Sequence, residues 1–511
     1  MLKKCIDVKL NVQPICFGLV HRCAYEGPCR FASGEALTPE FDAIGSQEVF
    51  QVFKEACSKN MPEFVHVREP LYFEYHDDWI LPDKNYDEMM KDLGEIDVYL
   101  VSTGIAREIP VIELAERSKK PILLDPNLGC EITALTAAIL CRGLETYAEL
   151  DWKGIATRMK VLWTRKAIQK TNVLVGVRFN SNTSQACNDS LNSLPDVTNI
   201  LGTHFRYMNI HEFFDYMEPL SEAGNYTTPG RKDTPNITKE EIKEAEKMAD
   251  ELIAGANEVH VERKHLVKSC MAHVLVKKLL ELYNCSAFSF PCPDACSTTR
   301  IDKMQFTLCL NHSLLTEQGI PSTCDSDVNS LMSMLMMTMM TGKAPYLGNA
   351  RPLLVQEDGT IAPSTRFSPE EDLDADDDRT NLYVTDHSTM IRKLHGINGK
   401  CSDYSLRHFA FDKQFGGVLR YRFADDKGQV ITMCKLSPDC KKMFIGKGTI
   451  VSGGGYDKNN CNGYVIYRVE NQKKFYQAHA YVGNHLPLVY GDCVEEMRML
   501  AEALGLEPLV V

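Results

Sequence analysis

Two short apolar runs of strand length, at 96–102 and 121–125, flank an amphipathic stretch of helix length at 108–119. A strand, a helix and a strand in that order build a parallel sheet, because the crossover helix brings the second strand alongside the first. The helical stretch ends in basic residues, which suit the negative end of a helix dipole. Residues 1–170 are therefore predicted to form an α/β domain with a parallel sheet.

The same alternation of apolar runs and helical stretches continues in the next part of the chain. Thr238, with Glu241 three residues later, has the spacing of a capping box, which predicts the start of a helix. Residues 327–341 form a helical stretch that is apolar nearly all round, which is typical of a helix buried between layers. Residues 171–350 are predicted to form a second α/β domain.

Beyond residue 350 the pattern changes to short β-like runs separated by glycine turns. This pattern predicts an antiparallel sheet or barrel. The runs occupy residues 381–385, 417–423, 430–436, 449–452 and 463–469. A strand-like run at 475–482 and one amphipathic helix at 493–504 follow. Residues 351–511 are therefore predicted to form a third domain, closed by that helix.

Charge and cysteine content exclude several classes of protein. The 511 residues carry 56 Lys and Arg against 69 Asp and Glu, a net charge of −13, so nucleic acid is not an expected partner. No apolar run reaches the roughly 20 residues that a membrane helix needs, so no membrane is expected either. The first residues lack the apolar core of a signal peptide. We expect the 19 cysteines to be reduced thiols of a cytoplasmic protein.

Common cofactor and metal motifs are absent from the sequence. No GxGxxG follows the early strands, so a dinucleotide cofactor is not expected. The cysteines include no CxxC pair, and Cys292 and Cys296 are the closest couple. Two interpretations of these two cysteines stay open. They are either zinc or redox groups, or buried small side chains.

Five polar residues at the ends of predicted elements are candidates for chemistry. Asp325 and Asp327 stand at the start of the apolar helix, where a carboxylate can also serve as an N-cap. Asn349 lies near a strand end, His387 follows a predicted strand, and His485 precedes the final helix. Each of the three also has an ordinary structural interpretation, as a turn residue or a hydrogen-bonded histidine. Only their combination distinguishes a site from these alternatives.

Two separated segments that contain these residues resemble one family. Residues 309–349 show a cysteine, a Gly-Ile, a Cys-Asp-Ser-Asp, a long apolar helix and a Thr-Gly. The ending GNHLPLVYGDCVEEMRMLAEALGLEP places a histidine before a short strand. Both segments resemble the metal-site region and the C-terminal signature of the L-fucose/L-arabinose isomerase-like sugar isomerases. The resemblance is best in the C-terminal half, and the first 170 residues are similar only in layout.

The resemblance implies a metal site made of Asp325, Asn349, His387 and His485. Asp325 stands where the family has glutamate, and Asn349 stands where the family has a carboxylate. An amide oxygen can still coordinate a metal, but it cannot act as a base. The implied cofactor is Mn²⁺, with Mg²⁺ or Co²⁺ as alternatives. Asp325 is then the expected catalytic base, with Asp327 in reserve.

The family also implies an architecture and an activity. The expected fold has two Rossmann-like (flavodoxin-like) parallel-sheet domains followed by a C-terminal antiparallel β-barrel. The expected protein is a metal-dependent aldose–ketose isomerase acting on a free sugar or sugar derivative through an enediolate. A homo-oligomer, a hexamer, is expected, in which the first domain of a neighbour covers each site. Arg22, Arg30 and Asn484 are the candidate substrate contacts, although arginines exposed to solvent are the simpler interpretation of the first two. The alternative is a catalytically degenerate sugar-binding or regulatory homologue.

Overall fold

A computed structural model describes residues 2–24, 38–76, 80–103, 109–178, 183–185, 191–220, 235–362 and 368–511. The chain divides into a first unit, Val8–Trp163, and a second unit that combines Met1–Asp7 with Thr164–Val511. The predicted second and third domains thus fall within one unit, and their separation at residue 350 stays a prediction.

The first unit contains a six-stranded parallel sheet. Its strands are β1 (Leu10–Leu19), β2 (Val65–Val67), β3 (Leu71–Tyr75), β4 (Val98–Thr103), β5 (Ile122–Leu124) and β6 (Thr146–Tyr147). The helices are α1 (Pro39–Asn60), α2 (Asp83–Met89), α3 (Ile109–Ser118), α4 (Glu131–Leu140) and α5 (Trp152–Lys170), which continues into the second unit. The strand order is β2-β1-β4-β5-β6, with β3 also beside β1, and every pairing is parallel.

Local sequence explains the centre of this sheet. Every residue of β4 is buried, as expected for a parallel strand covered on both faces. In α3 the buried residues include Val111, Leu114 and Ala115, whose spacing of three and four places them on one face. The predicted strand–helix–strand unit is confirmed.

The second unit begins with another parallel sheet. The strands and helices of this part of the unit are, in order, β7 (Asn172–Val177), β8 (Thr183–Gln185), β9 (Leu191–Ser193), α6 (Leu194–Leu201), β10 (His204–Asn209), α7 (Ile210–Tyr216), α8 (Lys239–Gly255), β11 (Glu258–His260), α9 (Arg263–Leu282), β12 (Ala287–Ser289), α10 (Cys292–Ser297), α11 (Arg300–Met304), α12 (Cys309–Glu317), β13 (Ser322–Thr323) and α13 (Val328–Thr341). The sheet order is β10-β7-β12-β13, all parallel.

A curled antiparallel sheet completes the second unit. The elements are β14 (Asn349–Pro352), β15 (Leu382–Asp386), β16 (Ser405–His408), β17 (Gly417–Arg420), β18 (Val430–Leu436), β19 (Lys442–Gly454), β20 (Tyr464–Val469), α14 (Gln472–His479), β21 (Leu488–Tyr490), α15 (Val494–Ala503) and β22 (Glu507–Val510). The order is β14-β15-β20-β19-β18-β21, with β22 parallel to β19. Strands β11, β16 and β17 form a separate small sheet. The α/β class with parallel sheets and a C-terminal antiparallel sheet is therefore confirmed.

The two end strands of the curled sheet meet through backbone hydrogen bonds. Tyr346 and Leu488 exchange two N–H···O bonds of 2.9 and 2.8 Å, and the Leu486 N–H donates to the Gly348 carbonyl at 2.8 Å. These residues stand immediately before β14 and around the start of β21. The curl thus brings the chain near Asn349 beside the chain near His485, although the two lie far apart in sequence.

The predicted strand-like run at 475–482 is wrong, because these residues belong largely to helix α14 and the turn after it. The Asn471 side chain accepts a hydrogen bond from the Lys474 N–H and so caps the helix. Its buried residues are Phe475 and His479, four positions apart, which is the spacing of one helix face. The alternation of aromatic and polar residues resembled a strand, whereas the cap and the i, i+4 pair decided for a helix.

Helix α13 is buried on all sides, as its sequence predicts. All residues from Val328 to Met340 are buried, and the helix ends where Gly342 adopts a left-handed backbone. It contacts β12 and β13 of the parallel sheet and β18 of the curled sheet, so it lies between layers. Among the described residues, no helix combines the length and the apolar character needed to cross a membrane.

The predicted capping box at α8 is present. The Thr238 hydroxyl accepts from the Glu241 N–H at 3.2 Å, and the Glu241 carboxylate accepts from the Thr238 N–H at 2.7 Å. We expect Thr238→Ala to lower the free energy of unfolding by about 0.5–2 kcal/mol, because the Glu241 N–H loses the hydroxyl that accepts its hydrogen bond. Urea denaturation measures this loss. Thr238→Ser is the control, since serine keeps the capping hydroxyl; an unchanged midpoint in Thr238→Ala would contradict the assignment.

Candidate metal centre

A tight turn between β13 and α13 presents two carboxylates. Asp325 and Ser326 both adopt left-handed backbone conformations, with φ values of 60° and 56°. Such conformations are costly for residues other than glycine, and they cluster at functional sites. Asp327 follows and caps α13. The turn brings both carboxylates to the same side chain, that of His485.

Both carboxylate oxygens of Asp327 accept hydrogen bonds at the start of α13. Its Oδ1 accepts the Ser330 N–H at 2.9 Å, and its Oδ2 accepts the Ser330 hydroxyl at 2.6 Å. The Lys435 ammonium also lies 3.2 Å from Oδ2, and both side chains are almost completely buried. Burial raises the pKa of Asp327, but the charge of Lys435 and the hydrogen bonds outweigh it, so the pKa lies below its ordinary value. The capping interpretation of Asp327 is confirmed.

The orientation of the His485 ring follows from its contact with Asp327. His485 is fully buried, and its Nδ1 lies 2.9 Å from Asp327 Oδ2. Because an ionised carboxylate can only accept, we assign the proton to Nδ1. In the neutral ring Nε2 then carries a lone pair, and Nε2 lies 3.7 Å from Asp325 Oδ2. Two electron-pair donors therefore face each other, which is the arrangement of a metal ligand held by a carboxylate behind it.

Asp325 also meets a thiol and a second histidine. The Cys324 thiol donates to Asp325 Oδ1 at 3.2 Å, on the other oxygen from the one that faces His485. The donor atoms of Cys324, Asp325 and His387 lie within 4.8 Å of one another, a spacing that can hold a metal ion. His387 is buried, and its ring centroid is 5.6 Å from that of His485. Asp325 thus lies near both predicted histidines: its Oδ2 is 3.7 Å from His485 Nε2, and its carboxylate belongs to the cluster with Cys324 and His387.

Asn349 and Asn484 lie on the same two chain segments as His485. Asn349 pairs with His485 across an antiparallel bridge, and its side-chain oxygen accepts from Asn484 Nδ2 at 2.5 Å. Its own Nδ2 donates to the Asp386 carbonyl at 3.2 Å. The structure therefore brings Asn349 next to the cluster with its amide engaged. Metal binding by Asn349 and substrate contact by Asn484 stay predictions.

Two residues at this centre were missed by sequence reasoning. Lys435 interrupts the otherwise apolar end of β18, and a lysine in such a run is the one available signal. Cys324 opens the Cys-Asp-Ser-Asp motif directly before Asp325, but sequence reasoning assigned it no role. Asp386, the fully buried residue before His387, pairs with Arg351 Nη1 at 2.8 Å, and the arginine is 36% exposed.

The two candidate arginines give no structural support to a substrate site. Arg22 is exposed after the end of β1 in the first unit. Arg30 lies outside the described residues. Their role in binding substrate stays a prediction.

Comparison with known proteins does not identify a family for this chain. No protein-family model matches the chain, and no curated protein matches it in sequence. The case for a function therefore rests on the arrangement of Asp325, His387 and His485 and on the local resemblance of the segments that contain them.

Proposed function

We propose that the chain is a metal-dependent aldose–ketose isomerase of a free sugar or sugar derivative. The observation that carries the proposal is the pairing of His485 Nε2 with Asp325 Oδ2 at 3.7 Å, with Asp327 behind the imidazole. His387 joins this pair from the end of β15. Asp325 thus neighbours two imidazoles from a turn with left-handed backbone conformations, which is a feature of catalytic rather than of purely structural positions.

The donor set fits a divalent cation. Two imidazoles and one carboxylate suit Mn²⁺ or Co²⁺ better than Mg²⁺, which prefers oxygen ligands alone. When bound, such an ion supplies Lewis-acid polarisation of a sugar carbonyl. Asp325, His387 and His485 would hold it, with Asn349 as the further ligand that the family resemblance implies.

Asp325 is the residue proposed to move the proton. Isomerisation removes a proton from C2 of an aldose and returns one to C1, so it needs a base that can later act as an acid. Asp327 is unsuited because Lys435, Ser330 and His485 hold it in the ionised form. Asn349 cannot accept a proton. Asp325 is therefore the carboxylate available for this step.

The proposal also includes the domain architecture that the family resemblance implies and a cellular location. We propose that the parallel sheets belong to two Rossmann-like domains and that the curled sheet is a β-barrel. We also propose a cytoplasmic protein, because every cysteine within the described ranges is a free thiol.

Metal dependence is the first test. Chelation is expected to abolish aldose–ketose interconversion, and added Mn²⁺ is expected to restore it. His485→Ala should weaken metal binding, with partial recovery at high Mn²⁺, because one neutral ligand is lost while the base remains. His395→Ala is the control, since that imidazole is 55% exposed beside Asp426. Full activity in a preparation shown by elemental analysis to be free of metal would refute the mechanism.

Assembly is the second test. If the first domain of a neighbour covers each site, the active species is a homo-oligomer, a hexamer in the proposed family. Light scattering should give a mass above that of a dimer, and activity should fall when dilution produces monomers. A monomer with full activity would contradict this part of the proposal.

A sugar-binding homologue without catalysis is the second candidate function. The engaged amide of Asn349, in a position where the related enzymes have a carboxylate, favours it. Solvent deuterium incorporation at C1 and C2 separates the two candidates. The binding protein would hold metal and sugar without exchange across a broad panel of aldoses, whereas the isomerase would exchange with its substrate.

A further inference from the structure

We infer that Cys292, His312 and Cys324 form a second metal site, which takes a soft divalent cation of the zinc class. Cys292 begins α10, His312 lies on α12, and Cys324 follows β13. Their donor atoms all lie within 4.8 Å of one another, and Cys292 Sγ is 4.0 Å from His312 Nε2. Three elements within residues 292–324 thus bring two sulfurs and one imidazole nitrogen close together.

The spacing of these atoms suits tetrahedral zinc. Bonds of about 2.3 Å to sulfur and 2.0–2.1 Å to nitrogen place neighbouring ligand atoms roughly 3.5–3.8 Å apart. The 4.0 Å between Cys292 Sγ and His312 Nε2 exceeds this spacing by only a few tenths of an ångström. Small side-chain rotations close that difference. Binding would release the two thiol protons to solvent and join both thiolates to the ion.

The His312 ring is fixed in the orientation that such a site needs. Its Nδ1 lies 2.8 Å from the Ser322 hydroxyl, and its ring stacks on Phe288 with centroids 6.0 Å apart. A ligand imidazole is commonly held in this way through its other nitrogen. His312 is 1% exposed, Cys324 is 6% exposed and Cys292 is half-buried, so two of the three ligand residues are shielded from water. The His312 ring therefore has the orientation of a metal ligand without a bound ion.

Sulfur and imidazole donors distinguish this site from the proposed isomerase centre. Thiolates select zinc-like ions, whereas the oxygen and imidazole donors of Asp325, His387 and His485 suit Mn²⁺. The two sites adjoin, because the Cys324 thiol is 3.2 Å from Asp325 Oδ1. The sequence offered only Cys296 as the neighbour of Cys292, whereas the structure brings Cys292 to His312 and Cys324 and leaves Cys296 exposed.

Titration of the full-length, metal-free protein with Co²⁺ under a thiol-free reductant tests the inference. A near-ultraviolet sulfur-to-cobalt charge-transfer band should appear, saturate and disappear when Zn²⁺ is added. Cys292→Ser and His312→Gln should each weaken Co²⁺ binding at this band by at least tenfold. Cys434→Ser, a fully buried cysteine on β18, is the matched control and should leave the band unchanged.

Three outcomes would overturn the inference. They are the absence of the band in the folded parent, a band of unchanged strength in Cys292→Ser, and a Cys292–Cys324 disulfide in peptide mass spectra of the untreated protein. Circular dichroism confirms that each variant is folded. His485→Ala should keep the sulfur band while losing Mn²⁺ affinity, so failure of this inference and failure of the isomerase proposal are distinguishable.

Discussion

Asp325→Asn is expected to lower turnover by roughly 10²–10⁴-fold, the usual effect of removing a positioned acid–base group. Asparagine has nearly the same shape, and its oxygen can accept the hydrogen bond that the Cys324 thiol gives to Asp325. It also keeps an oxygen ligand for a metal. Some metal and sugar binding should therefore remain, while the proton can no longer be carried between C1 and C2.

The measurement pairs kinetics with binding. Aldose–ketose exchange is followed by solvent deuterium incorporation, and metal affinity is determined for the same preparations. Asp302→Asn is the control, because that carboxylate is 48% exposed in a surface pair with Lys413. If Asp325→Asn is as active as the parent, the base has been wrongly assigned. If the parent binds metal and sugar and exchanges no proton, the protein is a binding homologue.

Lys435→Met is expected to lower the free energy of unfolding by about 3–5 kcal/mol, the usual cost of removing one partner of a buried ion pair. Lys435 and Asp327 are only 1% and 2% exposed, so water cannot replace the lost ammonium. Asp327 also holds the His485 ring, whose Nδ1 is 2.9 Å away. Because a disturbed Asp327 would no longer orient that ring, Mn²⁺ affinity should fall as well.

Urea denaturation of the parent and of two lysine variants measures the effect. The matched control is Lys447→Met on β19, where Lys447 and Asp492 are 2.6 Å apart but each is 51% exposed. Because solvent screens this exposed pair, Lys447→Met should lower the free energy of unfolding by about 1 kcal/mol or less. If the two variants lost equal stability, the buried pair would not be holding Asp327 and His485 in place.

Local chain patterns determined most of the secondary structure. The apolar runs that became β4 and β5, the capping box of Thr238 and Glu241, and the all-round apolar helix α13 are each encoded by residues close in sequence. Helical and strand periodicities act over a few residues, so they can be read from a single chain. Where local signals conflicted, as at 475–482, the buried spacing of Phe475 and His479 decided for a helix.

Only the tertiary structure decided how the candidate ligands combine. Asp327 and His485 are 158 positions apart and meet because α13 packs against the curled sheet. The sequence marked both residues, but it did not show that the Lys435 ammonium would lie beside Asp327. It likewise grouped Cys292 with Cys296, whereas the fold places Cys292 against His312. A ligand set depends on contacts between elements distant in the chain, and no local period carries that information.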